Sequence, residues 1–243
     1  MKRLDGQVVL VTGASSGFGE AIALAYATAG ANLALNGRDE SRLEQVADAV
    51  RAHGVQVLTL LGNVTDEAMV VAAAEQATRE LGPIDVLINN AGTNVRERRI
   101  QETSVEQWRD LLAVNLTAVF LFTRAVLPAM IAREHGLIIN VASHAAIHPT
   151  LASGVGYATS KMGVDALTQL TNEEGNPHNV RACLLCPGTG NTPLIDLRPN
   201  PPPAEQRPLM LQPDDIAEIA VFIATLPARV NVEQIIFKPT RLP

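Results

Sequence analysis

The sequence contains few cysteines and few aromatic residues. Only two of its 243 residues are cysteines, and aromatic residues make up 3% of the chain. A framework of several disulfides is therefore excluded. Cys183 and Cys186 fall within a predicted strand at 180–186, whereas a redox C-x-x-C motif belongs at an exposed helix N-terminus. Residues three apart in a strand point to opposite faces, so both cysteines are predicted to be small core residues.

Basic residues are also scarce: 19 lysines and arginines stand against 25 aspartates and glutamates, which gives a net charge of −6. Nucleic acids and anionic membranes bind basic faces, so neither is an expected partner. The one basic cluster, Arg96, Arg98 and Arg99, is interpreted as a solvated loop. No run approaches the roughly 18 to 20 apolar residues of a membrane span, and no signal-peptide core follows Met1. A cytoplasmic protein is expected.

Metal-binding patterns are missing as well. The five histidines lack a convincing set of partners. His144 and His148 are four residues apart, but Pro149 and its loop-like surroundings argue against a helical metal pair. No metal site is predicted, and these two histidines are equally consistent with a substrate pocket or a surface loop.

Apolar strands alternate with helical patterns along the whole chain. Predicted strands lie at 8–11, 32–36, 55–61, 84–88, 137–141, 180–186 and 232–237. Predicted helices fill the intervals, including a long one from Ser104 to Arg133. This alternation favours an α/β fold with a doubly wound parallel sheet, Rossmann-like, of about seven strands with helices on both faces. Residues 1–243 fit a single domain.

A glycine-rich turn follows the first strand. Gly13, Gly17 and Gly19 stand between Val8–Val11 and a helical pattern that ends at Gly30. Without side chains there, backbone N–H groups and the positive end of the helix can approach a pyrophosphate closely. The spacing is G-x-x-x-G-x-G, which differs from the usual dinucleotide fingerprint G-x-G-x-x-G.

The residue after the second strand indicates which dinucleotide fits. An acidic residue there would accept hydrogen bonds from the adenosine ribose, whereas an arginine pairs with a 2′-phosphate. Gly37 occupies the acidic position and Arg38 follows it. This favours NADP(H), with NAD(H) possible. The alternative is that Arg38 faces solvent and Asp39 caps a helix.

A proline-rich segment follows the sixth strand. Residues 191–213 contain seven prolines, a density that excludes a long helix. Because the segment leaves the carboxyl end of a strand, residues 189–212 are predicted to form a substrate lid rather than a plain linker. Arg198 and Arg207 within it could pair with a substrate carboxylate or phosphate, but without geometry the sequence favours solvent exposure.

Tyr157 and Lys161 are four residues apart on a predicted helix and so share a face. A nearby ammonium is expected to lower the pKa of the phenol, which suits a general acid/base. Ser143, at the end of the preceding strand, could bind the same substrate oxygen. A tyrosine and a lysine at this spacing are common by chance. The pair indicates an acid/base only because its helix follows the strand that ends at Ser143.

Taken together, these motifs resemble the short-chain dehydrogenase/reductase family over nearly the whole chain. The matching segments are 12–19, with the family's own G-x-x-x-G-x-G spacing, Asn89–Gly92, Asn115 in Val-Asn-Leu, Ser143, Tyr157-x-x-x-Lys161 and Pro187-Gly188. The resemblance implies an oxidoreductase that transfers a hydride between NADP(H) and a secondary alcohol, ketone or aldehyde.

The resemblance also implies roles for individual residues. Tyr157 would be the acid/base, Ser143 would hold the substrate oxygen, and Lys161 would lower the pKa of Tyr157 and bind the nicotinamide ribose. Asn115 would hold a water in a proton relay, and Thr192 would contact the carboxamide. The implied cofactor-binding residues are Gly13, Ser15, Ser16, Gly17, Phe18, Gly19, Arg38, Asn63, Val64, Asn90, Ala91, Gly92, Tyr157, Lys161, Pro187, Gly188, Gly190 and Thr192.

Some positions depart from the family pattern. Phe18 replaces a usual isoleucine, Asn63 a frequent aspartate, and Phe237-Lys238 stands where Asp-Gly-Gly is common. That ending often supports tetramers, so both a homodimer and a homotetramer remain open. Two other functions also remain open on this fold: an epimerase with retained cofactor, and a non-catalytic dinucleotide sensor. Neither the substrate nor the physiological direction follows from the sequence.

Overall fold

The computed structural model describes residues 3–241, whose centre is a parallel sheet of seven strands. They are β1 (Val8–Val11), β2 (Asn32–Gly37), β3 (Val57–Leu61), β4 (Val86–Asn89), β5 (Gly136–Val141), β6 (Val180–Pro187) and β7 (Gln234–Phe237). Their order in the sheet is β3-β2-β1-β4-β5-β6-β7, with every neighbouring pair parallel. The predicted doubly wound fold is confirmed.

Within residues 3–241, seven α-helices surround the sheet. They are α1 (Gly17–Thr28), α2 (Glu40–Arg51), α3 (Glu67–Leu81), α4 (Val105–Leu112), α5 (Ala118–Ala132), α6 (Val155–Gly175) and α7 (Pro213–Ala224). Helices α1, α2 and α7 pack on one face, and α3 and α5 pack on the other. Alternate residues of one strand serve the two layers: Val9 and Val11 face the first, Val8 and Leu10 the second.

The predicted helix from Ser104 to Arg133 is interrupted. Helix α4 ends at Leu112, a π-helical turn occupies Ala113–Thr117, and α5 continues from Ala118. The continuous apolar periodicity hides this insertion, because one extra residue in a turn leaves the pattern on either side intact. Single π turns are frequent at functional sites, and Asn115 lies in this one.

The same run has the length and composition of a membrane span. In the described part of the chain, Val105–Ala132 contains an 18-residue window with a mean hydropathy of 1.8, although no continuous apolar run was predicted. Charged residues such as Arg124 interrupt it. Helix α5 packs against β4 and β5, as the core helix of a globular domain does, and 44% of the most apolar window is buried.

Both cysteines are free and buried within β6, as predicted. Cys183 packs with the first layer and Cys186 with a small cluster that includes Val164 of α6. The proline-rich segment that follows β6 contains two short 3-10 helices, Pro193–Leu197 and Ala204–Leu209, and no longer helix. It runs back across the carboxyl edge of the sheet before α7.

Candidate active site

A cleft of about 590 Å³ crosses the carboxyl edge of the sheet. It lies where the chain order reverses between β1 and β4, the position expected for a ligand in such sheets. Most of the predicted site residues line it: Gly13, Ser15, Ser16, Phe18, Arg38, Asn63, Val64, Asn90, Ala91, Gly92, Ser143, Tyr157, Lys161, Pro187, Gly188, Gly190 and Thr192. The residues that sequence reasoning collected from distant segments therefore share one surface.

Gly17 and Gly19 shape the cleft without lining it. Gly13 and Gly17 have φ values of +64° and +59°, which favour glycine. A Cβ on Gly19 would lie 2.2 Å from the carbonyl oxygen of Gly13, so no side chain fits between the turn and the start of α1. The N-cap residue Ser16 makes no side-chain capping bond. The turn therefore leaves backbone N–H groups at the helix start available to an anion.

Asn90 locks the glycine turn to the end of β4. Its side-chain amide donates to the carbonyls of Thr12 and Gly13 at 3.0 and 3.1 Å. The Thr12 hydroxyl in turn accepts from the backbone N–H groups of Asn90 and Ala91 at 3.0 and 3.1 Å. These bonds fix the cleft floor. Asn89, the first residue of the matching segment Asn89–Gly92, points inward and donates to Asn140 at 2.9 Å.

The end of β2 carries Arg38 at one mouth of the cleft. Asp39 beside it caps α2, accepting from the N–H of Arg42 at 3.1 Å and pairing with the Arg42 side chain at 3.3 Å. Arg38 is exposed and forms no ion pair within the described residues. The capping role foreseen for Asp39 is confirmed, and it leaves Arg38 as the unpaired charge on this wall.

Asn63 follows β3 on the same side of the cleft. Its side-chain oxygen accepts from the N–H of Thr65 at 3.2 Å. A carbonyl oxygen accepts two hydrogen bonds, so one lone pair stays available for the predicted contact with an adenine amino group.

Ser143, Tyr157 and Lys161 meet at the other end of the cleft. Ser143 follows β5, and its hydroxyl accepts from the N–H of Ala145 at 3.1 Å. Tyr157 and Lys161 lie one turn apart on α6. The Lys161 ammonium is 5.8 Å from the Tyr157 ring centroid and donates to the Val141 carbonyl at 2.8 Å. The predicted constellation is therefore assembled from β5 and α6.

The protonation of Tyr157 differs from the prediction. Burial raises the pKa of its phenol above the ordinary value, while a hydrogen bond with Ser143 and the charges of Arg198 and Arg98 act in the opposite direction. Lys161 is not among the groups that lower it. The predicted lowering by Lys161 is wrong because that ammonium is held by the Val141 carbonyl and is itself desolvated. The phenol is therefore neutral at pH 7.

Lys161 has an unusual environment for a lysine. Only 3% of its surface is exposed, and burial lowers its pKa to about 8. No carboxylate within the described residues pairs with it, so its only tie in the folded protein is the bond to Val141. The other N–H donors of the Lys161 ammonium can therefore bind hydroxyl or oxyanion groups of a ligand.

The pKa of Lys161 makes stability depend on pH. Between about 8 and 10.5 the unfolded chain holds a proton on Lys161 that the folded protein has released. The unfolding free energy of the wild type should therefore rise with pH across this window relative to that of Lys161→Met, by up to about 3 kcal/mol. Denaturant titrations of both proteins at several pH values measure the difference, which cancels the other titrating groups. A flat difference would show that the ammonium is not destabilised by burial.

Asn115 does not line the cleft but supports it. It is fully buried in the π turn, where its side-chain oxygen accepts from the N–H of Thr93 at 2.8 Å. Its amide donates to the Thr93 carbonyl at 3.0 Å and to the Ser160 hydroxyl at 3.2 Å. A Cβ on Gly92 would lie 3.4 Å from Asn115 and 3.7 Å from Lys161, so both side chains reach the same point. The relay role of Asn115 stays a prediction.

The base of the proline-rich segment packs on the glycine turn. A Cβ on Gly190 would lie 2.3 Å from the Phe18 ring, and one on Gly17 would lie 3.2 Å from Thr192. Phe18 therefore fills the space that a side chain at 190 would need. These contacts bring Thr192 to the cleft wall, as predicted.

Sequence reasoning missed Arg98. The basic cluster was expected to be a solvated loop, but Arg98 is only 6% exposed and lines the cleft. Its guanidinium donates to the carbonyls of Ser153 and Leu197 at 3.2 and 3.0 Å, and Gly154 leaves room for its chain. Arg198, from the proline-rich segment, also lines the cleft. No local pattern marks Arg98, because it is buried by segments distant in sequence. Arg198, expected in solvent, is half-buried at the cleft.

The two histidines that follow Ser143 lie outside the cleft. The rings of His144 and His148 lie 4.7 Å apart, and neither residue lines the cleft. Within residues 3–241 no group of three or more histidine, cysteine, aspartate or glutamate side chains is placed to hold a metal ion.

Comparison with known proteins agrees with this geometry. A family model described as short chain dehydrogenase matches residues 7–200. An uncharacterized oxidoreductase of Staphylococcus saprophyticus is 35% identical over 240 residues, covering 98% of this chain and all of the relative.

Two solved structures share the fold over nearly their whole length. A metagenomic short-chain oxidoreductase in complex with NADP is 33% identical with a TM-score of 0.85, covering 98% of this chain and 99% of that one. An alcohol dehydrogenase from the archaeon Thermococcus sibiricus, complexed with 5-hydroxy-NADP, is 30% identical with a TM-score of 0.87 and covers 98% of both chains. With the family model spanning most of the sequence, the chain belongs to the short-chain dehydrogenase family.

Proposed function

We propose that this chain is a single-domain oxidoreductase that interconverts a secondary alcohol and a ketone or aldehyde, with NADP(H) as cofactor. One observation carries the proposal: Ser143, Tyr157 and Lys161 line the same cleft as the side-chain-free turn of Gly13. An acid/base group and an anion cradle at two ends of one cleft suit a dinucleotide whose reactive ring lies beside the phenol.

The cleft fits a dinucleotide. The turn excludes side chains at Gly13 and Gly19, and the start of α1 has free N–H groups for a pyrophosphate. Asn63 and Val64 line the adenine side, and Lys161 offers an ammonium to ribose hydroxyls. The bound cofactor supplies or accepts the hydride. Two of the structural neighbours were solved with NADP or an NADP analogue, which supports this cofactor class.

The residues of the chain then handle the proton. In the reducing direction, the neutral phenol of Tyr157 donates its proton to the substrate oxygen as negative charge develops there. The Ser143 hydroxyl has one proton, which faces Tyr157 without substrate and is donated to the substrate oxygen when the substrate is bound. The charges of Arg198 and Arg98 stabilise the phenolate that remains, and Asn115 holds the loop at Thr93 in place. Residues 189–212 act as a lid that excludes water.

Arg38 is proposed to select NADP(H) by pairing with its 2′-phosphate. Arg38→Ala should weaken NADPH binding by about 1.5 to 3 kcal/mol, the size of a charged hydrogen bond, and should affect NADH far less. Fluorescence titration of each reduced cofactor measures this. Arg51→Ala is the matched control, since Arg51 lies at the far end of α2 and pairs with Glu44 and Asp48. Equal losses for the two cofactors would remove the 2′-phosphate assignment.

A panel of ketones and alcohols tests the activity itself. Each compound is incubated with NADPH or NADH, or with the oxidised forms, and the absorbance of the reduced nicotinamide is followed. Turnover of at least one carbonyl compound, faster with NADPH, is expected. Tight NADPH binding without turnover of any compound would favour a dinucleotide sensor.

We also infer a cytoplasmic homo-oligomer, a dimer or a tetramer. Large apolar side chains are exposed on neighbouring helices: Phe120 on α5, and Met162 and Leu170 on α6. The edge strand β7 also exposes Ile236. Apolar surface of this kind is usually covered by another chain. Light scattering coupled to size-exclusion chromatography determines the number of copies, and a monomer at micromolar concentration would contradict the inference.

A further inference from the structure

Two arginines stand at the substrate end of the cleft. Arg98 comes from the loop after β4, and Arg198 follows the first 3-10 helix of the lid. Both line the cleft together with Ser143 and Tyr157. Their charges act on the Tyr157 phenol, and the charge of Arg198 acts on Arg98. Two cations from segments distant in sequence therefore lie near the proposed acid/base.

Neither arginine is paired with a carboxylate within residues 3–241. No carboxylate there lies in ion-pair contact with Arg98 or Arg198, although the charge of Glu97 acts on Arg98 from a longer distance. Glu97, adjacent to Arg98, accepts from the Gln107 amide at 2.8 Å, and Asp196 near Arg198 pairs with Arg207. The negative groups closest in sequence are thus already engaged.

The hydrogen bonds of the two arginines are also incomplete. A guanidinium has five N–H donors. The buried Nε of Arg98 has no partner, although both its Nη atoms donate to carbonyls. Arg198 donates to the Thr189 hydroxyl at 3.3 Å. The buried Nε cannot reach a ligand, but each Nη of Arg98 carries a second N–H, and Arg198 has further N–H groups beyond the one bonded to Thr189. These N–H groups are the donors that a ligand with acceptor atoms would use.

The partial burial of the two guanidinium charges also indicates an anionic ligand. Burial lowers the pKa of both guanidinium groups, and the proximity of Arg198 lowers that of Arg98 further. Two partly desolvated like charges destabilise the protein unless an anion joins them. Because the pair faces the substrate end of the cleft rather than the protein interior, that anion would arrive with the substrate.

We propose that Arg98 and Arg198 form a recognition site for a carboxylate, and that the substrate is an oxo acid or the corresponding hydroxy acid. The planar fork of arginine matches a carboxylate with two parallel hydrogen bonds. The carboxylate would fix the carbonyl group against Ser143 and Tyr157. This inference rests on the proposed function and names its substrate class.

Matched substrates test the site. A series of 2-, 3- and 4-oxo acids is compared with the methyl ester of each, using NADPH. For at least one member, kcat/KM for the acid should exceed that for the ester by about thirtyfold or more. Equal efficiency for every acid and its ester would overturn the carboxylate site and leave the oxidoreductase intact. A stronger preference for a phosphorylated ketone would also overturn it.

Variants assign the preference to the arginines. Arg198→Gln should lower the acid-to-ester ratio of kcat/KM at least about tenfold, and Arg198→Lys should recover part of it because a point charge remains without the fork. Arg207→Gln is the matched lid control and should keep the ratio, since Arg207 pairs with Asp196 and does not line the cleft. An unchanged ratio in Arg198→Gln would overturn the assignment.

Arg98 is buried, so its variant needs a separate check. Arg98→Lys is verified by circular dichroism and cofactor binding before use, with Arg99→Gln, an exposed neighbour that pairs with Glu102, as control. The folded variant should also show a lowered acid-to-ester ratio. If it folds and keeps the wild-type ratio, Arg98 is not part of the site.

A binding measurement separates this inference from the proposed activity. Butanoate and butanamide differ in charge but not in length, and ligand-observed NMR reports the affinity of each for the NADPH-bound protein. Butanoate alone should bind, and Arg198→Gln should weaken it about tenfold or more. Such binding without turnover of any oxo acid or of any compound in the carbonyl panel would support the carboxylate site and overturn the proposed function. Equal binding of both compounds would overturn the site.

Discussion

Tyr157→Phe is expected to lower kcat by about a thousandfold or more while the affinity for NADPH stays within about twofold of the wild type, because acid/base groups typically contribute 10² to 10⁴ to the rate. The substitution removes one oxygen atom and keeps the aromatic ring of this α6 residue. Burial raises the pKa of this phenol, so at pH 7 it holds the proton that reduction requires. Stopped-flow turnover with a substrate from the carbonyl panel and fluorescence titration of NADPH measure the two quantities.

The chain provides an exact chemical control. It has two tyrosines, and the other, Tyr26, is fully buried in α1, where its hydroxyl donates to the Ala220 carbonyl at 2.9 Å. Tyr26→Phe should cost about 1 kcal/mol of stability through the lost hydrogen bond and leave turnover at the wild-type level. Turnover by Tyr157→Phe at a tenth of the wild-type rate or better would disprove the acid/base role. A large loss of NADPH affinity would make the phenol a binding group instead.

Much of the fold could be predicted because its signals are local. Each strand is a short apolar run bounded by a turn, so β1 to β7 were located to within two or three residues. The signals for helix starts are also local, because Asp39 and Asp66 cap the N-termini of α2 and α3 with their own side chains. The alternation of strands and helices then leaves few topologies, and the observed order is one of the common ones.

The π turn at Ala113–Thr117 shows what periodicity cannot detect. An inserted residue shifts the helix face by about a quarter turn, but α5 after it is apolar on most sides, so the shift leaves no visible mark. Its effect appears only in three dimensions, where Asn115 turns toward Thr93 and Ser160. The role of such a residue is set by its neighbours in space.

Long-range burial explains the other two failures. Arg98 was expected in solvent because its neighbours Arg96 and Arg99 are polar and exposed. The lid residue Leu197 and the α6 entrance at Ser153 cover it, and both are more than 50 positions away. The predicted lowering of the Tyr157 pKa was wrong for the same reason. The spacing to Lys161 is correct, but the balance of burial and charge depends on Arg98 and Arg198, which no helix pattern relates to Tyr157.

Gly19→Ala is expected to abolish measurable NADPH binding and to destabilise the protein by about 3 kcal/mol or more, in the range of overpacked cores. The new methyl group would lie 2.2 Å from the Gly13 carbonyl and 2.5 Å from the Asn90 amide. Both neighbours are fixed, the first as backbone and the second by its bonds to Thr12 and Gly13. Relief therefore requires α1 to move away from the turn, which removes its N–H groups from a phosphate. Urea titration and isothermal calorimetry measure the two effects.

Gly54→Ala separates this clash from the general cost of replacing a glycine. Gly54 has φ +76° in the turn after α2, and a Cβ there meets nothing within 4 Å. Gly54→Ala should lower the unfolding free energy by about 1 kcal/mol, because alanine disfavours the left-handed backbone, and it should bind NADPH normally. Gly19 is a helical residue without positive φ, so any excess loss in Gly19→Ala comes from contact rather than backbone conformation. If the two variants lose equal stability and both bind NADPH, the turn tolerates a side chain and is not the cofactor cradle.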